Sequence, residues 1–413
     1  MAAEARSTRT PRPSIDLLGW MRENLFSTWY NALITLVILF VVYQAVSGFL
    51  GWAFTTQGWQ AVTTNTRLIF VGRYPAEQIW RPAFSVALIA LLTGLSGGIW
   101  KGIPRTLALG FGIAMLVLAV LTLVVPAPPP AAGEAPSSPL MPVLFLIGTA
   151  AITAGGYALG NATGQRLRWP TLIGWFLLYP IAVLIIRGVG PLNPVATNLW
   201  GGLMLTLLLS VSGIVLSFPL GVLLALGRRS DLPVIKGFCI AYIELIRGVP
   251  LVTVLFMAQL MLPLFLPAQI RIDAVVRAIV AVTLFSAAYL AENVRGGLQS
   301  LPRGQTEAAR ALGLNTVQTT LLITLPQALR AVIPVLVGQF ISLFKDTSLV
   351  VIVGLIDLLG IAQSIITQPQ WLGTPGGVWR EVLFSVALIY WIFSFTMSRT
   401  SKRIEEKLNV GHR

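Results

Sequence analysis

The sequence predicts an all-α polytopic membrane protein with about ten transmembrane helices. Three observations carry that prediction: 55% of the 413 residues are hydrophobic, only 11% are charged, and the mean hydropathy is +0.80. A soluble domain carries about 25% charged residues. The apolar residues also gather in runs close to the ~20 residues that a helix needs to cross a bilayer.

The runs place spans at roughly 31–52, 82–100, 105–126, 141–160, 170–187, 200–227, 237–262, 274–295, 327–356 and 382–399. Ahead of the first, residues 1–30 read as a basic tail and an interfacial helix. Arg6, Arg9 and Arg12 precede Leu17, Leu18, Trp20, Leu25, Phe26 and Trp29, mixed with Asp16, Arg22 and Glu23, which is no signal-peptide pattern. Trp52, Trp59 and Trp80 bracket the first outer loop as interfacial anchors. Residues 126–139, with Pro128-Pro129-Pro130 and Ser137-Ser138, read as an extended external linker. Gly97-Gly98, Gly155-Gly156 and Gly201-Gly202 read as close helix packing. The chain divides near residue 190 into an N-terminal extension of about five spans, 31–190, and a second set of five, 191–413. No repeat relates the halves.

The net charge of +14 reports topology, because Lys and Arg collect in cytoplasmic loops. One parity suits every loop. Inside are Lys101, Arg105, Arg166, Arg168, Arg228, Arg229, Lys236, Arg295, Arg303, Arg310, Arg330 and the tail with Arg399, Lys402 and Arg403. Outside are Arg67, Arg73, Arg81, Arg187, Arg271 and Arg380. Both termini are therefore expected in the cytoplasm. No soluble basic domain exists for nucleic acid, so that partner class is set aside. One cysteine, Cys239, permits no intrachain disulfide. One histidine, His412, leaves histidine catalysis and His-rich metal sites without residues.

The polar interruption at 300–325 asks for a purpose. Ser300 and Pro302 suit a helix start, and Thr306 to Leu312 are strong helix formers. Gly313 is placed as a C-terminal cap. Asn315 with Gln318 forms a capping-box pattern, and Pro326 marks the next span. Two short helices around a glycine turn are expected. The fixed positions Glu307, Ala308, Ala309, Gly313, Ile323, Leu325 and Pro326 match the Glu-Ala-Ala, three, Gly, nine, Ile-x-Leu-Pro signature. That signature resembles the cytoplasmic docking segment of importer-type ABC transporter permeases.

The resemblance covers residues 195–410. The stretches Ala241–Leu251, Ala287–Leu298 and Phe344–Leu349 are similar to the polar amino acid permeases. The long first half, with Trp20-Met21-Arg22-Glu23-Asn24-Leu25-Phe26, is similar to the larger permease of the general L-amino acid transporters. The resemblance implies a type I importer core in the last five helices and alternating access that moves amino acids inward across a bacterial inner membrane. It implies a second homologous permease subunit, an ATP-binding cassette ATPase dimer that uses ATP and Mg, and a periplasmic amino acid-binding protein. It also implies that 300–325 docks on the ATPase. The chain has no Gly-Lys dipeptide and hence no usual phosphate loop, so no cofactor is expected on it. It is not expected to be an enzyme.

Charges inside spans need partners or water. Glu244 and Arg247 stand three apart and are expected to pair on one helix face. Glu292 either pairs with Arg295 or faces a central pathway. In the pathway reading, Glu292 and Asp346 receive a substrate ammonium, with Asn293, Gln339, Ser342 and Thr347 as neutral contacts. An ion-coupled secondary amino acid transporter is the alternative. It is expected to show inverted repeats and matched broken helices, and it leaves the 307–326 signature unused.

Overall fold

The computed structural model describes residues 17–124, 140–267 and 269–408; the predicted linker at 126–139, the first arginines and His412 lie outside them. Secondary structure among the described residues is helical, with one isolated β-bridge between Gly202 and Asp357. The chain separates into two compact units, residues 1–57 and 58–413. The division proposed at residue 190 lies inside the second unit.

The first unit contains α1, Leu17–Asn24, and α2, Trp29–Thr55. Thr28 caps α2 by accepting from the Asn31 N–H at 3.3 Å. No side chain of α2 is buried.

The second unit begins with a cap that the hydropathy pattern did not disclose. Two short helices, α3 (Trp59–Thr64) and α4 (Thr66–Val71), end at Gly72. Gly72 has φ +65, and a Cβ there would stand 2.5 Å from Gly201 Cα. Only glycine meets both demands. Four spans follow: α5 (Trp80–Ile99), α6 (Ile103–Val124), α7 (Leu140–Thr163) and α8 (Arg168–Arg187). The last two form one apolar stretch of 48 residues, about 72 Å if straight and far longer than a bilayer core. They are a hairpin. A Cβ on Gly156 would stand 2.7 Å from the Leu91 carbonyl oxygen and one on Gly160 2.6 Å from that of Leu95, so α7 runs parallel to α5. A Cβ on Gly174, early in α8, would stand 2.8 Å from the Leu92 side chain. Arg81, at the start of α5, bonds the Asn193 carbonyl just beyond α8 at 2.9 Å. Hence α8 runs antiparallel to α5, and the chain reverses through the 3-10 turn Gly164–Leu167.

The remaining elements are α9 (Gly202–Arg228), α10 (Pro233–Arg247), α11 (Leu251–Phe265), α12 (Ala274–Gln299), α13 (Arg303–Ala311), α14 (Thr316–Val353), α15 (Leu358–Ile366) and α16 (Trp379–Leu408). Their core has three levels. Ala61, Ile69, Leu203, Leu358, Ile361 and Val382 pack at one end. Leu205, Leu209, Leu255, Val282 and Leu343 pack in the middle. Ala225, Ile243, Leu290, Val294, Ala328 and Leu336 pack at the other end. Among the described residues eight helical stretches are long and apolar enough to cross a membrane, or nine with α10 and α11 as one broken crossing; about ten were expected, a number reached only by counting α7 and α8 separately.

The span expected at 237–262 is corrected. It breaks between α10 and α11 with a bend of 105°. The break falls at Gly248-Val249-Pro250, with Pro250 as the extended residue before α11. A proline disfavours the helical conformation of the residue ahead of it, and Gly248 removes the helix-favouring side chain one position earlier.

Candidate functional site

The predicted docking segment forms from local rules alone. Pro302, with extended backbone, is the N-cap of α13. At the other end the Leu314 N–H donates to the Ala309 carbonyl at 3.1 Å and the Gly313 N–H to that of Arg310 at 2.9 Å. This is the Schellman arrangement, and it needs the positive φ of +82 found at Gly313. Asn315 and Gln318 complete a reciprocal capping box, at 2.8 and 3.0 Å.

The expected second short helix is corrected. What begins at Thr316 is the next span itself, continuous through α14. Pro326 lacks an N–H, and its ring crowds the carbonyl four residues back. The helix widens ahead of it: Thr319–Thr324 is a π turn, and the Leu325 N–H reaches the Thr320 carbonyl, five back. Pro326 therefore lies within a helix that starts ten residues earlier.

Ala309 is 3% exposed and seats α13 against the start of α14, where Thr319 is also buried. Glu307 and Ala308 face outward. Around them stand apolar side chains that the sequence reading missed: Leu312 is 82% exposed, Leu322 64%, and Val317 and Leu321 are also exposed. Their i, i+4 and i+5 spacing from 317 was the available signal. Leu325 and Ile323 are half-buried at the foot of the excursion.

A charged cluster lies beside it at the ends of α9, α10 and α12. Arg228 bonds Glu244 at 3.0 Å and Glu292 at 3.3 Å, Arg247 approaches Glu292 at 3.9 Å, and Arg295 bonds Glu292 directly. Arg295 also donates to Gln299 at 2.7 Å. The expected Glu244–Arg247 pair is therefore corrected: Glu244 is taken by Arg228 of another helix, while Arg247 turns to Glu292. Arg228 comes from α9, 16 residues earlier than Glu244, and no local rule points to it. Of the two readings of Glu292, the structure places it in the ion cluster, its carboxylate engaged by three guanidinium groups.

The other pathway candidates fall into two sets. The Asn293 amide donates to Gln339 at 2.6 Å, and Gln339 donates to the Ser286 carbonyl at 2.9 Å. One and two turns further along α14, Ser342 is exposed and Asp346 half-buried. The Thr347 hydroxyl bonds the Phe344 carbonyl at 2.7 Å. The neighbouring Lys345 lines a recess of about 360 Å³ with Ser348 and Tyr390. Among the described residues no group of three or more His, Cys, Asp or Glu is placed to hold a metal ion.

The family described as "Binding-protein-dependent transport system inner membrane component" matches residues 217–410. The inner membrane amino-acid ABC transporter permease protein YhdY of Escherichia coli (strain K12) is 37% identical over 97% of this chain and 96% of its own length. The chain belongs to the amino-acid ABC transporter permeases. Another permease matching end to end is BztC of the Rhodobacter capsulatus glutamate/glutamine/aspartate/asparagine transport system, 36% identical over 98% of this chain and 97% of that one. By contrast, 92% of the probable glutamine permease GlnP of Bacillus subtilis is matched by 50% of this chain, at 37% identity. The longer permeases thus share the extension, whereas the whole of a shorter one corresponds to half of this chain. The family assignment removes the ion-coupled secondary transporter from consideration.

Proposed function

We propose that this permease imports amino acids across a bacterial inner membrane, with both termini in the cytoplasm, and that α13 receives the stroke of a separate ATP-binding cassette ATPase dimer. ATP and Mg belong to that partner. A second homologous permease completes the pathway, and a soluble amino acid-binding protein delivers substrate from outside. The observation that carries the proposal is the build of the 300–325 segment. A helix of nine residues is locked at its C-terminal end by hydrogen bonds and seated on α14 by Ala309. It presents Glu307 and Ala308 among exposed leucines, the composition of a partner contact rather than of a solvated turn.

The domain division follows: residues 1–30 as a cytoplasmic and interfacial start, 31–190 as the extension, and 191–413 as the transporting core. Within the core, Gln339, Ser342 and Asp346 share one face of α14, and Asn293 joins them through Gln339. These, with Thr347, are the pathway we propose, and Asp346 is the group suited to a substrate ammonium. Glu292 retains a place in it only if transport pulls it from its arginines.

The deciding experiment is co-purification of the ATPase with Glu307→Ala and Leu312→Ser variants. The expected result is loss of the ATPase and of uptake from a permease whose melting temperature is unchanged. Full retention of the ATPase in both would refute the docking role. For the pathway, Asp346→Asn and Glu292→Gln are compared in uptake by assembled transporter. Normal uptake in both removes the assignment.

A further inference from the structure

The outer rim of the 58–413 unit carries the few basic residues that the expected topology leaves outside. Loops away from the cytoplasm are poor in Lys and Arg. Here Arg67, Arg73, Arg187, Arg271 and Arg380 are all exposed. The acids that lie near them are mostly spent internally. Asp273 caps α12 and accepts from Thr197. Asp357 is fully buried, capping α15 and accepting from Tyr390 at 3.0 Å. Glu381 is also fully buried. Among the described residues of this rim, Glu77 is the exposed acid. No lysine contributes; each cation is a planar guanidinium, the form that grips a carboxylate with two parallel hydrogen bonds.

Hydrogen bonds and close backbone approaches tie together the segments that carry Arg67, Arg73 and Arg187, and Val378 and Val382, on either side of Arg380, pack with Ala61 and Ile69. Gly72 abuts Gly201, whose neighbour Gly202 donates to the Ile356 carbonyl at 3.0 Å. Asn65 and Gln368 exchange amide bonds at 3.2 and 3.0 Å. The Tyr74 hydroxyl bonds the Ile186 carbonyl at 2.7 Å, and Arg67 is steered by the Tyr74 carbonyl at 2.7 Å. Exposed aromatics sit among the arginines: Phe70 between Arg67 and Arg73, and Trp379 beside Arg380. Arginine with aromatic side chains is the composition of the energetic centre of a protein interface. Arg67, Arg73 and Arg187 precede residue 217, where the family match begins.

We propose that this arginine rim docks an acidic face of the soluble substrate receptor, and that supplying much of the rim is what residues 58–190 do for the permease. The proposal rests on the importer reading and on its orientation in the membrane.

The test uses the assembled transporter in nanodiscs, with receptor titrated against ATP hydrolysis. In the Arg67→Gln/Arg73→Gln variant, receptor-free hydrolysis is expected to stay at the wild-type rate. The receptor concentration for half-maximal stimulation is expected to rise at least about tenfold, with a shallower dependence on salt. Because Arg67 also bonds the Tyr74 carbonyl, Arg73→Gln/Arg380→Gln is measured alongside and is expected to show the same shift. An unchanged half-maximal concentration in both variants overturns the proposal. So does a wild-type shift of the same size when phosphatidylglycerol is removed from the nanodisc, which would make the rim a lipid site. A wild-type transporter that ignores the receptor overturns the importer reading itself, and the rim falls with it.

Discussion

The two excursions beyond the spans, the cap at 58–79 and the segment at 300–325, are built on opposite principles. The cap has little internal structure beyond two six-residue helices. It is fixed by contacts distant in sequence: Gly72 against Gly201, Asn65 with Gln368, Tyr74 with Ile186. The other segment is fixed within itself, by a Schellman end and a capping box, and leaves its leucines exposed. One surface is braced against the spans; the other is held in shape by its own caps. Rigidity of shape and rigidity of placement are separate properties, and this chain uses each on a different side.

Substitutions can break that contrast. The largest effect is expected from Gly72→Val. Its backbone conformation suits glycine alone and Gly201 fills the space, so the change should cost at least about 3 kcal/mol. Detergent-solubilised protein should melt much lower or fail to accumulate. Asn65→Ala removes both bonds to Gln368, whose oxygen still accepts from Trp371, and should cost about 1 kcal/mol, read in the same melt. Gly313→Val has open space around it and only its φ is penalised, about 1–2 kcal/mol. The loss should appear as faster amide exchange in α13 with little change in the global melt, whereas Gly313→Asn should be tolerated. Smallest for stability is the pair Leu312→Ser and Leu322→Ser, expected within about 0.5 kcal/mol of wild type although ATPase retention falls. If Gly313→Val instead unfolded the whole protein, the contrast between the two excursions would be lost.

The parts legible in the sequence were those governed by short-range rules. Apolar run length located the spans, and the Gly313 and Asn315 caps were read correctly because each involves residues within five positions. What escaped was set by distance in sequence or by competition. Arg228 takes Glu244 from Arg247 because α9 happens to end beside α10. The cap helices α3 and α4 are too short and too Thr-rich to register as a pattern, although Gly72 and Gly201-Gly202 were visible signs of close backbone approach. The 105° break escaped because Gly and Pro occur freely in spans and do not by themselves mark a bend. The π turn was missed because Pro326 reads as a beginning, whereas the helix passes through it. The candidate pathway lay between: Asn293 and Gln339 do meet, while Glu292 was claimed by arginines.

The continuity of α14 has a mechanical consequence. It comes close to α12 at Gly297, where a Cβ would stand 2.8 Å from the Ala328 carbonyl oxygen. From Thr316 to this point the helix measures about 18 Å, and from it to Asp346 about 27 Å. A stiff helix pivoting at that point would carry its far end about one and a half times as far as its near end.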